Sequence, residues 1–269
     1  TMKKLFFCLL ILVSVGAYTQ TTAEHFFMQG YAYAKLGSND RALTNFNKAI
    51  ELNPNYALAY YNRGISKEIL KDYNGAIADY DKTIELDPSG ASAYYNRGVL
   101  KHTSGDKDGA TVDYTKAIEF NPDFAEAYNN RGLLKTQTGD YNGAIADHAK
   151  AIKLDPSYGD AYYNRGIATA FLKDYNGAIV DYHRAIELDP NFAKAYYNKG
   201  FAKTQMKDYN GAIADYTKAI ELDPDFALVY RNRAIVKYLL GDSDGACKDA
   251  QKAEELGNDA SVLVNLVCR

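Results

Sequence analysis

Tryptophan is absent from the 269 residues, methionine and cysteine occur three times each, and proline six times. Crossing a bilayer as a helix takes about 20 apolar residues, and the apolar run Leu5–Val15 falls short of that. The net charge of −3 excludes a global attraction to nucleic acid or to an anionic membrane. The four histidines, His25, His102, His148 and His183, are scattered, and no pair has metal-ligand spacing. No phosphate loop, nucleophile motif or clustered acid pair stands out. The stretches "GDKDGA" (105–110) and "GDSDGA" (241–246) resemble calcium loops but lack the terminal glutamate at loop spacing. These absences point to a non-catalytic chain with no metal and no cofactor. What is abundant is tyrosine, 24 residues, in a chain 47% apolar and 24% charged, a balance that excludes disorder.

The first residues differ from the rest. "MKKLFFCLLILVSVGA" has Lys3 and Lys4, then the apolar run, then small residues around Gly16 and Ala17. That is the three-part pattern of a secretory signal peptide, expected to span 1–17 with cleavage after Ala17; an uncleaved anchor is the alternative. Cys8 lies inside the run, which argues against lipoprotein processing. Export would take the charge from −3 to about −5 and place the mature chain in the periplasm, at the cell surface or outside the cell.

All six prolines, at 54, 88, 122, 156, 190 and 224, stand 34 residues apart. Each follows Asn or Asp and precedes a residue suited to capping a helix: Asn55, Ser89, Asp123, Ser157, Asn191 and Asp225. Self-similarity at this period marks a stacked repeat array. Asn-Gly at 74–75, 142–143, 176–177 and 210–211 is by itself a strong hairpin signal. The neighbouring apolar residues, Tyr73, Ala76, Ile77, Tyr80 and Ile84, follow helical spacing, with no strict alternation on either side. Asp72, Asp140, Asp174 and Asp208 are therefore expected as N-caps, with Asn-Gly inside the first helical turn.

A large aromatic recurs at Phe26, Tyr60, Tyr94, Tyr128, Tyr162, Tyr196 and Tyr230, followed four residues on by Gly30, Gly64, Gly98, Gly132, Gly166 and Gly200. Alanines 42, 76, 110, 144, 178, 212 and 246 keep the same period. With the prolines, this pattern resembles the tetratricopeptide repeat family. The resemblance implies an all-α fold, a right-handed α-solenoid of stacked antiparallel helix pairs. The expected organisation is a leader at 1–17, a short tail and cap at 18–22, seven repeats over 23–260 and a capping helix at 261–269.

One departure from the family pattern invites a physical reading. Where a leucine usually precedes the glycine, this chain has Arg63, Arg97, Arg131, Arg165, Lys199 and Arg233. Sixteen residues later lie Asp79, Asp113, Asp147, Asp181, Asp215 and Asp249, and in the first repeat both charges are replaced together, by Gln29 and Asn45. A joint change of this kind predicts contact between the two helices of a repeat, the alternative being a basic ladder that binds a ligand.

The resemblance also implies a concave groove lined by first helices. It points there Phe27, Tyr61, Tyr95, Asn129, Tyr163, Tyr197 and Arg231, followed by Asn62, Asn96, Asn130, Asn164, Asn198 and Asn232. An amide both donates and accepts, so it can pair with any peptide bond, and tyrosine adds contact area with few rotors. Two readings stay open: the ladder grips an extended peptide, or it bonds across neighbouring repeats and fills the gaps between them. The asparagines match the central residue of the family's carboxylate-clamp subgroup. The clamp's basic partners are missing, with Ile65, Val99, Leu133, Ile167 and Phe201 one turn further on and Lys194 alone at its level. Cys247 and Cys268 sit at equal distances from the break at Gly257-Asn258, so two antiparallel helices would set them level. An oxidising compartment would then allow a disulfide, two unbridged thiols being the alternative. The final segment "DASVLVNLVC" is apolar on nearly every side, which leaves open a sticky end or a contact with a second copy. The leading expectation is an exported, non-catalytic scaffold for a protein or peptide. The alternative is a glycan-handling accessory protein at the bacterial cell envelope.

Overall fold

The structure, a computed structural model, describes residues 22–268. The expected leader 1–17, Cys8 included, and most of the expected tail 18–22 lie outside the described residues. Fifteen helices and no strand occur among the described residues, so no Asn-Gly pair makes a hairpin. The chain falls into two compact units that meet in sequence between Phe120 and Asn121. The first unit comprises α1 (Ala23–Lys35), α2 (Asn39–Leu52), α3 (Ala57–Ile69), α4 (Tyr73–Leu86), α5 (Ala91–Thr103) and α6 (Lys107–Phe120). In the second are α7 (Ala125–Thr138), α8 (Tyr141–Leu154), α9 (Gly159–Phe171), α10 (Tyr175–Leu188), α11 (Ala193–Gln205), α12 (Tyr209–Leu222), α13 (Ala227–Leu239), α14 (Ser243–Glu255) and α15 (Ser261–Val267). Within each unit every odd-numbered helix packs on the even one after it, and that one packs on the next odd helix. The result is a stack of helix pairs.

Close approach inside a pair depends on glycine. An added Cβ at Gly64 would stand 2.7 Å from the Tyr80 ring, and one at Gly166 would stand 2.7 Å from Tyr182. Those rings are buried, as are Tyr114, Tyr216, Phe46 and His148 at the same repeat position. In the seventh repeat the ring is lost, at Ala250, and the glycine becomes Ala234, so the two positions change together. Every alanine of the 34-residue series from Ala42 to Ala246 is fully buried.

The second helices begin as the sequence predicts. Asp72 Oδ1 accepts from the Gly75 amide at 3.0 Å, and Asp140, Asp174, Asp208 and Asp242 do the same for the glycine three residues on. Such a cap satisfies an amide that the helix leaves without a partner. The first helices begin differently. Asn55, Ser89, Asp123, Ser157, Asn191 and Asp225 do not cap. Their own amides are taken by the Asn or Asp before the proline, as where Asp87 Oδ1 accepts from Ser89 N at 3.1 Å. This Asx turn moves the helix start one residue on, to Tyr56, Gly90, Phe124, Tyr158, Phe192 and Phe226, none of which makes a side-chain cap bond.

At the end of the second unit a disulfide joins Cys247 of α14 to Cys268, just past α15, with Cα atoms 4.9 Å apart. Val267 is buried against Ala246 and Ala250, while Val262 is 82% exposed.

Candidate functional site

The predicted ion pairs form in every repeat that has both charges. Arg63 donates through Nε and Nη2 to the two oxygens of Asp79, at 2.8 and 2.6 Å. Arg97–Asp113, Arg131–Asp147, Arg165–Asp181 and Arg233–Asp249 repeat this fork, and Lys199 reaches Asp215 at 2.9 Å. The guanidinium also lies over the first-helix tyrosine, 5.2 Å from the Tyr60 ring centre for Arg63. Its remaining nitrogen extends back to the preceding repeat, to Asn47 from Arg63, Asp81 from Arg97 and Thr217 from Arg233. A second cation four residues on joins most of these carboxylates: Lys67, Lys101, Lys135, Lys203 and Lys237, each within 2.9 Å. Sequence reasoning missed these lysines, although their i, i+4 spacing from the arginine shows it. The fifth repeat has Thr169 at that place, so among the described residues Asp181 rests on Arg165 alone. In the first repeat Gln29 turns to His25 and Asn45 to the Arg41 carbonyl, so the two side chains do not replace the pair.

The ladder residues lie on the odd-numbered helices. Asn96 donates from Nδ2 to the Tyr61 hydroxyl at 3.2 Å in the first unit. In the second unit Asn198 donates to Tyr163 at 3.0 Å, Asn232 to Tyr197 at 3.0 Å and Asn164 to Asn129 Oδ1 at 3.1 Å. Each bond joins first helices of successive repeats. The preceding repeat offers Asn62 Phe27 at the position where Asn96 finds Tyr61, and Asn62 donates to its own helix, at Leu58 O. The Tyr61, Tyr95, Tyr163 and Tyr197 rings pack tilted on Tyr80, Tyr114, Tyr182 and Tyr216, with centres 5.9 to 6.0 Å apart. Asn130 is half-buried at the ladder position of α7. Arg231 is half-buried too and lines a hollow of about 300 Å³ with Asp259 and the exposed Val262 and Leu266. Bonding between repeats is therefore present, and it uses the donor half of each amide. The oxygens of Asn96, Asn164, Asn198 and Asn232 accept no hydrogen bond among the described residues.

The fourth repeat departs from its neighbours at two facing positions. Asn129 stands where the second, third, fifth and sixth repeats have a groove tyrosine, and His148 where they have the buried tyrosine ring. His148 Nδ1 lies 3.1 Å from Asn129 Oδ1, while Asn129 Nδ2 donates to Tyr158 at 3.2 Å. An oxygen can only accept, so Nδ1 holds the imidazole proton. That leaves Nε2 buried with no hydrogen-bond partner among the described residues. Burial pushes the His148 pKa down to about 4; Asp147 opposes the shift, and Arg165 and Lys135 add to it.

The inner tyrosine hydroxyls differ in a way sequence reasoning also missed. Tyr80 donates to Glu68 at 2.8 Å, and Tyr216 lies 3.2 Å from the Thr204 hydroxyl. The matching position in the fifth repeat is Ala170, and Tyr182 there borders an open cavity. Aligning the repeats at residues 68, 136, 170 and 204 would have exposed the change. No helix among the described residues is long and apolar enough to cross a membrane.

Comparison with known proteins agrees with this geometry. The family described as TPR repeat matches residues 30–67, 69–105, 101–139, 132–170 and 172–207, and the one described as tetratricopeptide repeat matches 193–226. An uncharacterized protein of Methanocaldococcus jannaschii is 41% identical over 51 residues, 19% of this chain; the match spans 59% of that relative's length. Among solved structures, MamA is 33% identical with TM-score 0.56, covering 59% of this chain and 93% of its own. YrrB, described as a TPR protein with an unusual peptide-binding site, is 27% identical with TM-score 0.62 and covers 68% and 95%. The C-terminal part of a TPR repeat-containing protein of Cytophaga hutchinsonii reaches TM-score 0.70 at 19% identity, covering 89% and 98%, a likeness of fold alone.

Proposed function

The chain belongs to the tetratricopeptide repeat family, and on that premise we propose that it is a non-catalytic scaffold holding an extended segment of a partner protein along its first helices. The observation behind this reading is the split use of the ladder amides. Asn164, Asn198 and Asn232 each spend Nδ2 on the neighbouring repeat and keep Oδ1 without an internal partner. Donor bonds of this kind fix the amide plane, which makes the oxygen a pre-oriented acceptor for a peptide N–H. Repetition at one position per repeat suits a backbone that presents donors at regular intervals. The description of YrrB as peptide-binding supports the same use of this fold. A saccharide would need open ring faces, and Tyr163 and Tyr197 are packed against Tyr182, Phe192, Tyr216 and Phe226, so the peptide reading is preferred to the glycan one.

We also propose export. The Lys3-Lys4 and Leu5–Val15 pattern supports it, and the Cys247–Cys268 disulfide fits an oxidising compartment. Mass analysis of native protein beginning at residue 18 would uphold it, and a full-length chain in the cytoplasmic fraction would overturn it.

The binding test uses a peptide selected from a random library and its backbone N-methylated versions. Blocking an N–H that meets one of these oxygens should weaken binding about tenfold per site. Equal affinity for every N-methylated version would contradict the reading.

A further inference from the structure

In the fifth repeat the first-helix face opens into a notch of about 450 Å³, walled by Ile167, Ala170, Phe171 and Phe201, with Tyr182 and Asn198 among its lining. The apolar wall is held in place, because Phe171 stacks on Tyr141 with centres 4.8 Å apart and planes 8° apart. Lys173 and Tyr175 complete the lining, and two further polar groups, of opposite sense, meet this surface. Tyr182 is 2% exposed, its hydroxyl has no hydrogen-bond partner among the described residues, and burial raises its pKa, so it stays a donor. Asn198 has spent Nδ2 on Tyr163, so only its oxygen, an acceptor, is available.

We propose that this notch is a subsite for a tyrosine side chain of the bound segment, which rests on the peptide reading given above. A phenol ring matches the apolar walls, and its hydroxyl accepts from Tyr182 while it can donate to Asn198. An indole N–H can only donate. A phenyl or aliphatic group leaves both polar atoms covered and unpaired, which costs about tenfold in affinity. A cationic tip is disfavoured by Lys173 in the lining, and a carboxylate, which can only accept, would leave the Asn198 oxygen facing it unpaired. The opening exists because Ala170 stands where Glu68 and Thr204 close the same path in the second and sixth repeats.

The test titrates the whole chain with p-cresol, toluene and 3-methylindole in the millimolar range, following backbone amide shifts by NMR. The expected result is that p-cresol perturbs Ala170 and Phe201 and binds at least fivefold tighter than toluene or 3-methylindole. Two variants with precedent in this chain should remove the preference. Ala170→Thr supplies the partner Thr204 gives Tyr216, and Tyr182→Phe copies Phe46 at the same repeat position. No shift at Ala170 and Phe201, or a preference that survives in Tyr182→Phe, would overturn the subsite. Because the probes are not peptides, peptide binding without p-cresol binding removes the subsite alone. p-Cresol binding without any peptide ligand removes the scaffold reading and leaves a phenol site with no bound segment to fill it.

Discussion

Among the described residues Arg165 is the sole cation on the buried Asp181 carboxylate, whereas Asp113 has both Arg97 and Lys101. A buried carboxylate stripped of its only partner is strongly destabilising, while one that keeps a bidentate arginine is not. Arg165→Met should therefore cost about 3 kcal/mol or more, and Lys101→Met about 1 kcal/mol, as measured by urea unfolding. Equal costs would show that the second cation does not share the load. His148 sets a different test. Its folded pKa of about 4 lies below the ordinary 6.5, so the unfolded chain binds the proton first as pH falls. Stability is complete above pH 6.5 and declines toward pH 4, by about 2 kcal/mol between pH 7 and pH 5. His148→Tyr, which restores the residue found at 80, 114, 182 and 216, should flatten that part of the profile. The Arg–Asp pairs were legible in the sequence because both charges vanish together in the first repeat. The facing change of Tyr-Tyr to Asn129–His148 carries the same kind of signal, but histidine's many ordinary roles hide it.

At the level of single helices, the aspartate caps and their glycines work as units. A Cβ at Gly143 would stand 2.1 Å from Asp140 Oδ2, so alanine there displaces the cap. Asp140→Ala should cost about 1 kcal/mol. Gly143→Ala should be near neutral, because the lost cap offsets a gain in helix propensity of about 1 kcal/mol. In the Asp140→Ala background the same change should stabilise by that gain. A double-mutant cycle measured by thermal unfolding checks the sign, and additive effects would argue against the coupling. The starts of the second helices were readable from Asp-x-x-Gly. Those of the first helices were misread by one residue, since a polar side chain after proline looks like a cap until the Asx turn before it is seen. Helix α15 has seven residues, too short to persist alone. Its tether closes a loop with sequence separation 21, worth about 3 kcal/mol of chain entropy. Reduction should abolish hydrogen-exchange protection in α15 while sparing α14, and unchanged protection would show that packing of Val267 suffices.

For the whole molecule, the period of 34 residues was enough to foresee a helix-pair stack, because a pair cannot hide its apolar face without a neighbour. The period could not foresee the notch beside Tyr182, which depends on a residue twelve positions earlier on another helix. Repetition fixes which positions face the first-helix surface, and the departures from it decide what that surface recognises. NMR titration of the whole chain with a library-selected peptide tests this account most directly. A segment held along the first helices shifts the Asn164, Asn198 and Asn232 side-chain amides together with α9, α11 and α13. Shifts confined to α8, α10 and α12 would contradict it.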